Sequence, residues 1–334
     1  MSAVAGGPVR VALLGFGTVG AAVGRALVEN AGLYAGRLGV PLELAGIAVR
    51  DLGRPRDLGP VPGGLLTDRA EELVDAADVV VEVMGGIEPA RSLVLRALGR
   101  GVPVVTANKQ LIAQHGPHLH RVADEHRASL DYEAAVVAAV PVLRVVREAL
   151  AGDRITAISG VVNGSTNFVL DQVARHGMAF HHAVARAGEL GYLEADPTED
   201  LEGLDAAAKI VILARAAWGV DVTLDDVQRE GITGLDDEDF EQARGTGQVI
   251  KLIASAWRSG SSEPPRVELA VRPVRLGADH PMAQVREGRN VVQIESELAG
   301  VLRLSGEGAG GEATASAVLG DLMGAVRRVL TSRG

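Results

Sequence analysis

A short apolar run, VRVALL (9–14), interrupted only by Arg10, leads directly into GFGTVG (15–20) and then into AAVGRALVEN at helical spacing. A strand that feeds a glycine turn and opens a helix has few solutions, because the helix must pack back on the strand with its N-terminus at the turn. Gly15, Gly17 and Gly20 stand where a dinucleotide-binding turn needs a tight bend, a close approach of backbone to pyrophosphate and a helix–strand contact. The alternation then continues, with a strand over 42–49, helices over 68–76, 89–99 and 111–126, and strands at ADVVVEVMGG, VPVVTANK and ASLDYE. Residues 30–39 read as a polar, glycine-bearing extension and 52–64 as surface loop. This pattern predicts an α/β fold, a doubly wound parallel Rossmann sheet.

Ligands of such sheets lie at the carboxyl ends of the strands, with phosphates on the first helix N-terminus. The expected cofactor-binding residues are therefore Gly15, Phe16, Gly17, Thr18, Val19 and Gly20, then Met84 and Gly85, then Thr106 and Lys109. Arg50 and Asp51 close the second strand, where an acid favours the free ribose hydroxyl of NAD and an arginine the 2′-phosphate of NADP. Arg50 comes first, so the reading leans to NADP(H) with NAD(H) tolerated.

The second half centres on GYLEADPTEDLEGLDAAAK (191–209). Glu194, Asp196, Glu199 and Asp200 fall in a loop interrupted by Pro197, and a helix is expected from Leu201, with Asp205 and Lys209 one turn apart. On a solvated helix such a pair contributes only ~0.3–0.5 kcal/mol. Ile212, Leu213 and Ala216 instead put Lys209 on an apolar stripe. A lysine there must either reach water along its stem or be held by carboxylates, and here the carboxylates are supplied, as a proton-transfer site requires.

Before this stretch, 133–150 reads as a hinge carrying Pro141 at the first helical position, and ITAISGVVNG as a buried strand with Ser165 capping the next helix. After it come a second acid-rich helical region, TLDDVQREGITGLDDEDF, and four runs of antiparallel-strand character between 248 and 308. The second domain is thus expected to be α+β, its sheet a candidate homodimer interface. Residues 308–311 are either a cofactor-approaching loop or a flexible linker, and an amphipathic helix closes the chain. The expected division is 1–140 for the dinucleotide, 141–311 for substrate, catalysis and dimerisation, and 312–334 as a helix returning to the first domain.

A net charge of −10 argues against nucleic acid or an anionic membrane as partner. With no cysteine there is no thiolate nucleophile or metal site, and the eight histidines lack metal-ligand spacing. The N-terminus has no signal-type core and no run is long enough to span a bilayer, so a cytoplasmic protein acting on a small molecule is expected.

GFGTVG, VEVMGGIEPA, VTANKQLIA, the 133–141 hinge, VVNGSTNFVL, GYLEADPTEDLEGLDAAAK and GEGAGGEATASAVLGD occur in this order, and together they resemble homoserine dehydrogenase over about residues 9 to 330. The resemblance implies interconversion of L-aspartate 4-semialdehyde and L-homoserine with a nicotinamide cofactor, on the route to threonine and methionine. It assigns Lys209 to the hydroxyl proton and Lys109 to cofactor and substrate, with Glu194, Asp200 and Asp205 binding the substrate amine or positioning the lysine. It brings Gly310 near the nicotinamide, and implies a Na+ or K+ held by Glu133 and the carbonyls of Val136, Ala138 and Val140. Here the chain departs from the pattern, having Val137, Ala138 and Ala139 where relatives have glycines. Because the chain stops at Gly334, a short form without a C-terminal ACT regulatory domain is expected. Two rivals stay open at this stage. One is a dehydrogenase of another small hydroxy amino acid, and the other a catalytically silent NAD(P)-binding redox sensor, which has no need of Lys209 amid carboxylates.

Overall fold

The computed structural model describes residues 7–193, 196–260, 262 and 265–333. The chain divides into two compact units, Met1–Ala139 with Gly310–Gly334, and Val140–Ala309.

In the first unit, β1 (Val9–Leu14), α1 (Thr18–Glu29), α2 (Ala31–Leu38), β2 (Leu42–Ala48), β3 (Leu66–Thr67), α3 (Ala70–Asp75), β4 (Val79–Glu82), α4 (Ala90–Leu98), β5 (Val104–Thr106), α5 (Lys109–Glu125), β6 (Leu130–Asp131) and α6 (Ala134–Val137) follow in turn. The sheet order is β3-β2-β1-β4-β5-β6 with every pair parallel, so the strand order reverses between β1 and β4. That is the doubly wound arrangement, and the buried Val, Leu and Ile of β1, β2 and β4 are what a sheet covered on both faces requires. The stretch at 30–39 is a helix and not an irregular extension. Tyr34 buries its ring in the core, and Gly39, at φ 79, supplies the left-handed cap. Helix α13 (Gly311–Arg333) completes this unit by packing along α1 and on β4 and β5. Its residues Ala315, Val318, Leu322, Ala325 and Val326, spaced along one face, are no more than 2% exposed. Each fully buried Val or Leu there contributes ~1.5–3 kcal/mol.

In the second unit, α7 (Val142–Arg144) runs into a π-turn at Val145–Ala149. There follow β7 (Ile155–Val161), α8 (Gly164–His176), α9 (Phe180–Glu189), α10 (Thr198–Leu201), α11 (Leu204–Trp218), β8 (Val227–Arg229), α12 (Asp237–Gly245), β9 (Gln248–Ser259), β10 (Arg266–Gly277), β11 (Arg289–Ser296) and β12 (Gly300–Glu307). The sheet order is β12-β11-β7-β9-β10-β8, antiparallel except for β8 with β10. Strand β7 sits at its middle, and α11 packs on β7, β9 and β10 with residues 205–214 all buried. Three local expectations differ. Pro141 precedes the first helical residue as the cap of α7, at φ −79 and ψ 57, instead of occupying the first helical turn. Part of the acid-rich 223–240 stretch is strand β8, because Val227 finds Leu269 on β10 as a partner. The helix at 164 is capped by Asn163, whose side chain accepts from the Thr166 amide at 2.8 Å, while Ser165 donates its hydroxyl to the Tyr192 carbonyl.

Asp171, Asp205, Lys209 and Lys251 are charged side chains buried in this unit, and Lys251 lies deepest. Lys251, on β9, is 1% exposed and donates to Asn167 Oδ1 and to the Val285 carbonyl, each at 2.7 Å. Burial pushes its ammonium down to about 8, Asp171 pulls it back up, and Arg286 and Arg175 press it down further. Unfolded, the group titrates near about 10.4. Between these values the unfolded chain holds a proton that the folded chain has shed, so this group makes stability rise with pH there, by about 1.4 kcal/mol per unit. Relative to a Lys251→Met variant, the wild-type chain should gain about 2 kcal/mol between about pH 7.5 and about pH 10 in urea unfolding. Parallel pH profiles for the two proteins would refute this account of Lys251.

Candidate active site

In the first unit the three fingerprint glycines separate by what surrounds them. A Cβ on Gly15, at φ 103, would lie 2.9 Å from the Val83 carbonyl oxygen, and one on Gly20 would lie 2.2 Å from that of Gly15. Both glycines are demanded by the protein's own packing. A Cβ on Gly17, at φ −85, would meet nothing within 4 Å. Helix α1 starts at this point with no side-chain cap and no acid in its first turn, and Gly17 and Thr18 are exposed. Its first amides therefore face outward with the positive end of the helix dipole, a place suited to phosphate. The residues present fit a dinucleotide. Phe16 packs beside Gly24 and Val19 against the core, which fixes the turn from behind.

Arg50 and Asp51, two and three residues past the end of β2, are both exposed. One carboxylate oxygen of Asp51 accepts the Gly53 amide at 2.8 Å. Met84 is half-buried, and Gly85 and Gly86 follow at φ 73 and φ 71. Thr106 is fully buried, and Lys109 is the half-buried first residue of α5, which begins two residues earlier than the sequence suggests because Asn108 caps it through the Leu111 amide. Glu82, at the end of β4, joins these segments. It is fully buried and accepts from the Met84 amide at 2.7 Å and the Thr106 hydroxyl at 2.5 Å. The run VVVE carries the only signal that could have found it, an acid ending an otherwise apolar strand. The 308–311 segment is packed, not a loose linker. A Cβ on Gly308 would lie 1.9 Å from the Asn290 amide, and one on Gly311 would lie 2.9 Å from Thr18 Cγ2. Gly310 itself, at φ 111, faces open space.

In the second unit, residues 198–209 of the 191–209 stretch carry two helices. Glu199 and Asp200 lie in α10, directly after Pro197, and Gly203 at φ 74 turns the chain into α11. Lys209 is 8% exposed and Asp205 4%. The Lys209 ammonium lies 2.7 Å from Asp205 Oδ2 and donates to the Val162 carbonyl at 2.7 Å. Asn163, just past β7, donates its amide to Asp200 Oδ1 at 2.6 Å and to Asp205 Oδ2 at 2.8 Å, and its own oxygen accepts from the Thr166 amide and hydroxyl. The lysine, Asp205 and Asp200 are thus gathered around one asparagine, which the sequence reading placed only as a strand end. Asn290 also donates to the Val162 carbonyl, at 3.0 Å, so that carbonyl serves two donors. Asp196 stands apart. It is exposed and accepts from the Thr198 amide and hydroxyl, which hold its carboxyl below the usual range. Glu199 is exposed, and Glu194 lies outside the described residues.

For the cation, Glu133 is a buried acid whose amide donates to Asp321 Oδ2 at 2.8 Å. Ala138 takes φ 42, a backbone region that favours glycine, which accounts for why glycines suit this loop. Glu133, Val136 and Ala138 belong to the first unit and Val140 to the second, where its carbonyl accepts the Val142 amide at 2.8 Å. Among the described residues no three His, Asp or Glu side chains converge as a metal cage.

Comparison with known proteins covers both units. A family model described as homoserine dehydrogenase matches residues 141–323, and one described as homoserine dehydrogenase, NAD binding domain, matches residues 15–133. Homoserine dehydrogenase of Corynebacterium glutamicum is 47% identical over 325 residues, 96% of this chain and 73% of its own length. That of Bacillus subtilis is 37% identical over 323 residues, again 96% and 73%. Among solved structures, a homoserine dehydrogenase from Thiobacillus denitrificans aligns with a TM-score of 0.91 at 38% identity, over 97% of this chain and 74% of that one. A hyperthermophilic archaeal homoserine dehydrogenase in complex with NADPH aligns with a TM-score of 0.80 at 30% identity, over 96% and 98%. Matched in both units by the family models and across nearly its whole length by these relatives, the chain belongs to the homoserine dehydrogenase family, oxidoreductases of amino-acid biosynthesis.

Proposed function

We propose that the chain interconverts L-aspartate 4-semialdehyde and L-homoserine with NADP(H), NAD(H) being tolerated, and that Lys209 is the general acid and base. The observation that carries this reading is the buried Lys209–Asp205 contact at 2.7 Å, tied through Asn163 to Asp200. Bound at Gly15, Phe16, Gly17, Thr18, Val19 and Gly20, with Met84, Gly85, Thr106, Lys109 and Gly310 towards its nicotinamide end, the cofactor supplies the hydride for reduction and takes it back on oxidation.

Reduction of the aldehyde carbon leaves negative charge on its oxygen. An ammonium has three N–H donors. In Lys209 one faces Asp205 and one the Val162 carbonyl, so the third is the one to meet that oxygen. Lys209 stabilises the developing alkoxide and then transfers its proton to it, giving the hydroxyl of homoserine. In the reverse direction the neutral amine accepts the hydroxyl proton. Asp205 fixes the amine in place through its 2.7 Å contact, while Asp200 and Glu194 clamp the substrate ammonium and Lys109 holds its polar groups. The preference for NADP(H) rests on Arg50, an exposed cation, beside an Asp51 already engaged by the Gly53 amide. A family member in complex with NADPH agrees with it.

Na+ or K+ at Glu133 and the carbonyls of Val136, Ala138 and Val140 is favoured by the buried acid and by the glycine-like backbone of Ala138. A homodimer through the second unit's sheet is favoured by the edge strand β12, beside which Leu298 is 83% exposed and on which Val301 is 50% exposed. A cytoplasmic setting suits an enzyme of this pathway, and no helix among the described residues is long and apolar enough to cross a membrane.

Lys209→Ala should lower kcat for homoserine oxidation by at least ~10²-fold. Lys209→Arg keeps the charge beside Asp205 yet cannot release a proton, and should be folded and equally slow. Near-normal turnover by a folded Arg variant would sink the acid–base role. Steady-state oxidation of L-homoserine with NADP+ and NAD+ in parallel should show the higher kcat/KM with NADP+, and Arg50→Ala should erase the difference. Gly17→Ala should leave the melting temperature unchanged but weaken binding of both nucleotides in calorimetric titration. Gly20→Ala should instead lower the melting temperature by several degrees, the result of forcing a methyl group against the Gly15 carbonyl.

A further inference from the structure

Glu82 is the last residue of β4 and stands beside the last residues of both neighbours, in register with Leu14 on β1 and with Thr106 on β5. It therefore lies at the carboxyl edge of the sheet, on the strand next to the point where the order reverses. It is 0% exposed. Its partners are the amides of Met84 and Gly85, the hydroxyl of Thr106 and the side-chain amide of Asn108. None of them is a cation. All four can donate, and an ionised carboxylate has about four acceptor sites to receive them, whereas a protonated acid would present an O–H to groups that need an acceptor. Burial raises the carboxyl above its ordinary range, and the four donors offset this only in part.

The same donors belong to two loops. Met84 and Gly85 open the loop after β4, in which Gly85 and Gly86 both take left-handed backbone and a Cβ on either would meet no heavy atom within 4 Å. Side-chain packing does not constrain the two glycines. Polar contacts hold the loop: Glu82 takes the Met84 and Gly85 amides, and Asn108 donates to the Gly86 carbonyl at 2.6 Å. Asn108 in turn caps α5, whose first residue is Lys109, and its own amide donates to Thr106 Oγ1 at 3.0 Å. One buried carboxylate thus anchors both 84–86 and 106–109.

We propose that Glu82 is a positioning residue for the nicotinamide cofactor, the shared anchor that fixes the 84–86 and 106–109 loops against which the cofactor binds. The inference rests on the cofactor reading given above and adds to it a residue that touches neither cofactor nor substrate.

In Glu82→Gln, an amide group turns towards donors in place of one carboxylate oxygen, and a buried donor left unpaired should weaken NADP+ binding by roughly tenfold in isothermal titration calorimetry. The KM for NADP+ should rise in parallel, with the KM for homoserine within about twofold of wild type, a split that general loosening of the fold would not give. A Glu82→Gln protein with the wild-type melting temperature and a Kd for NADP+ within about twofold overturns the proposal. If Glu82→Gln does not fold, Asn108→Ser decides. It keeps a cap for the helix at 109 but removes the amide that reaches Glu82 and the Gly86 carbonyl, and should weaken NADP+ binding several-fold, an unchanged Kd counting against the proposal. Failure of the wild-type chain to bind either nucleotide would remove the underlying cofactor reading too. Wild-type binding with unaltered variants overturns this inference alone.

Discussion

The Lys209 ammonium is held 2.7 Å from Asp205, and both groups are nearly removed from water. At a helix surface such a pair is worth ~0.3–0.5 kcal/mol, but where both members are buried, removing one leaves a charge uncompensated and costs roughly 3–5 kcal/mol. That asymmetry organises the second unit around the pair. Asp205 must be one turn before Lys209, which fixes the start of α11. The remaining acceptor of the ammonium must be the Val162 carbonyl, which fixes the end of β7 against that helix. Asn163 then bridges Asp205 to Asp200 and so fixes α10. Three elements are set by one charge.

Lys209, Lys251 and Glu82 are buried charged or titratable groups that the fold treats differently. Lys209 has a carboxylate in contact, so its charge is matched. Lys251 has two neutral oxygens in contact and Asp171 only as a distant influence, so burial prevails and its ammonium is pushed down to about 8. Glu82 has four neutral donors and no cation, and burial again prevails in direction. Neutral dipoles can satisfy the hydrogen bonds of a buried charge without repaying its lost solvation. Of these three, the lysine proposed to handle the proton is thus the one with a counter-ion in contact, while the other two hold segments of chain in place.

The alternation of strands and helices was legible because parallel strands covered on both faces must read as largely apolar runs, as VRVALL and VVVE do apart from Arg10 and the terminal Glu82. The Asp205–Lys209 pair was legible for a similar reason, since helical spacing and the apolar stripe around Lys209 are both local. What the chain did not disclose were contacts between residues distant in sequence. Asn163 meets Asp205 across 42 positions and Asn290 meets the Val162 carbonyl across 128. Ser165 looked like the helix cap because serine favours that role, yet Asn163, two residues earlier, has the extended backbone that the position requires. The division of 198–209 into two helices was hidden by its acids, which suit a loop and a first helical turn equally well, and only Gly203 marks the break.

The polar atoms that organise each unit fall at the same kind of place, the end of a buried strand. Within a strand the backbone carbonyls are committed to neighbours, so an interior carbonyl has little capacity for a lysine. Beyond Val161 the pairing of β7 with β11 stops, and the next carbonyl, that of Val162, is released from the ladder while still surrounded by core. It accepts from Lys209 and Asn290 together. At the end of β4 the same release frees the Met84 and Gly85 amides, and the Glu82 carboxylate takes them. Both strand ends lie where apolar packing is dense enough to strengthen a hydrogen bond by lowering the local dielectric, and where the backbone has unspent donors and acceptors. A substitution that extended β7 by one paired residue would therefore disrupt the lysine site without touching any acid or amine in it, because the Val162 carbonyl would be turned back into the sheet.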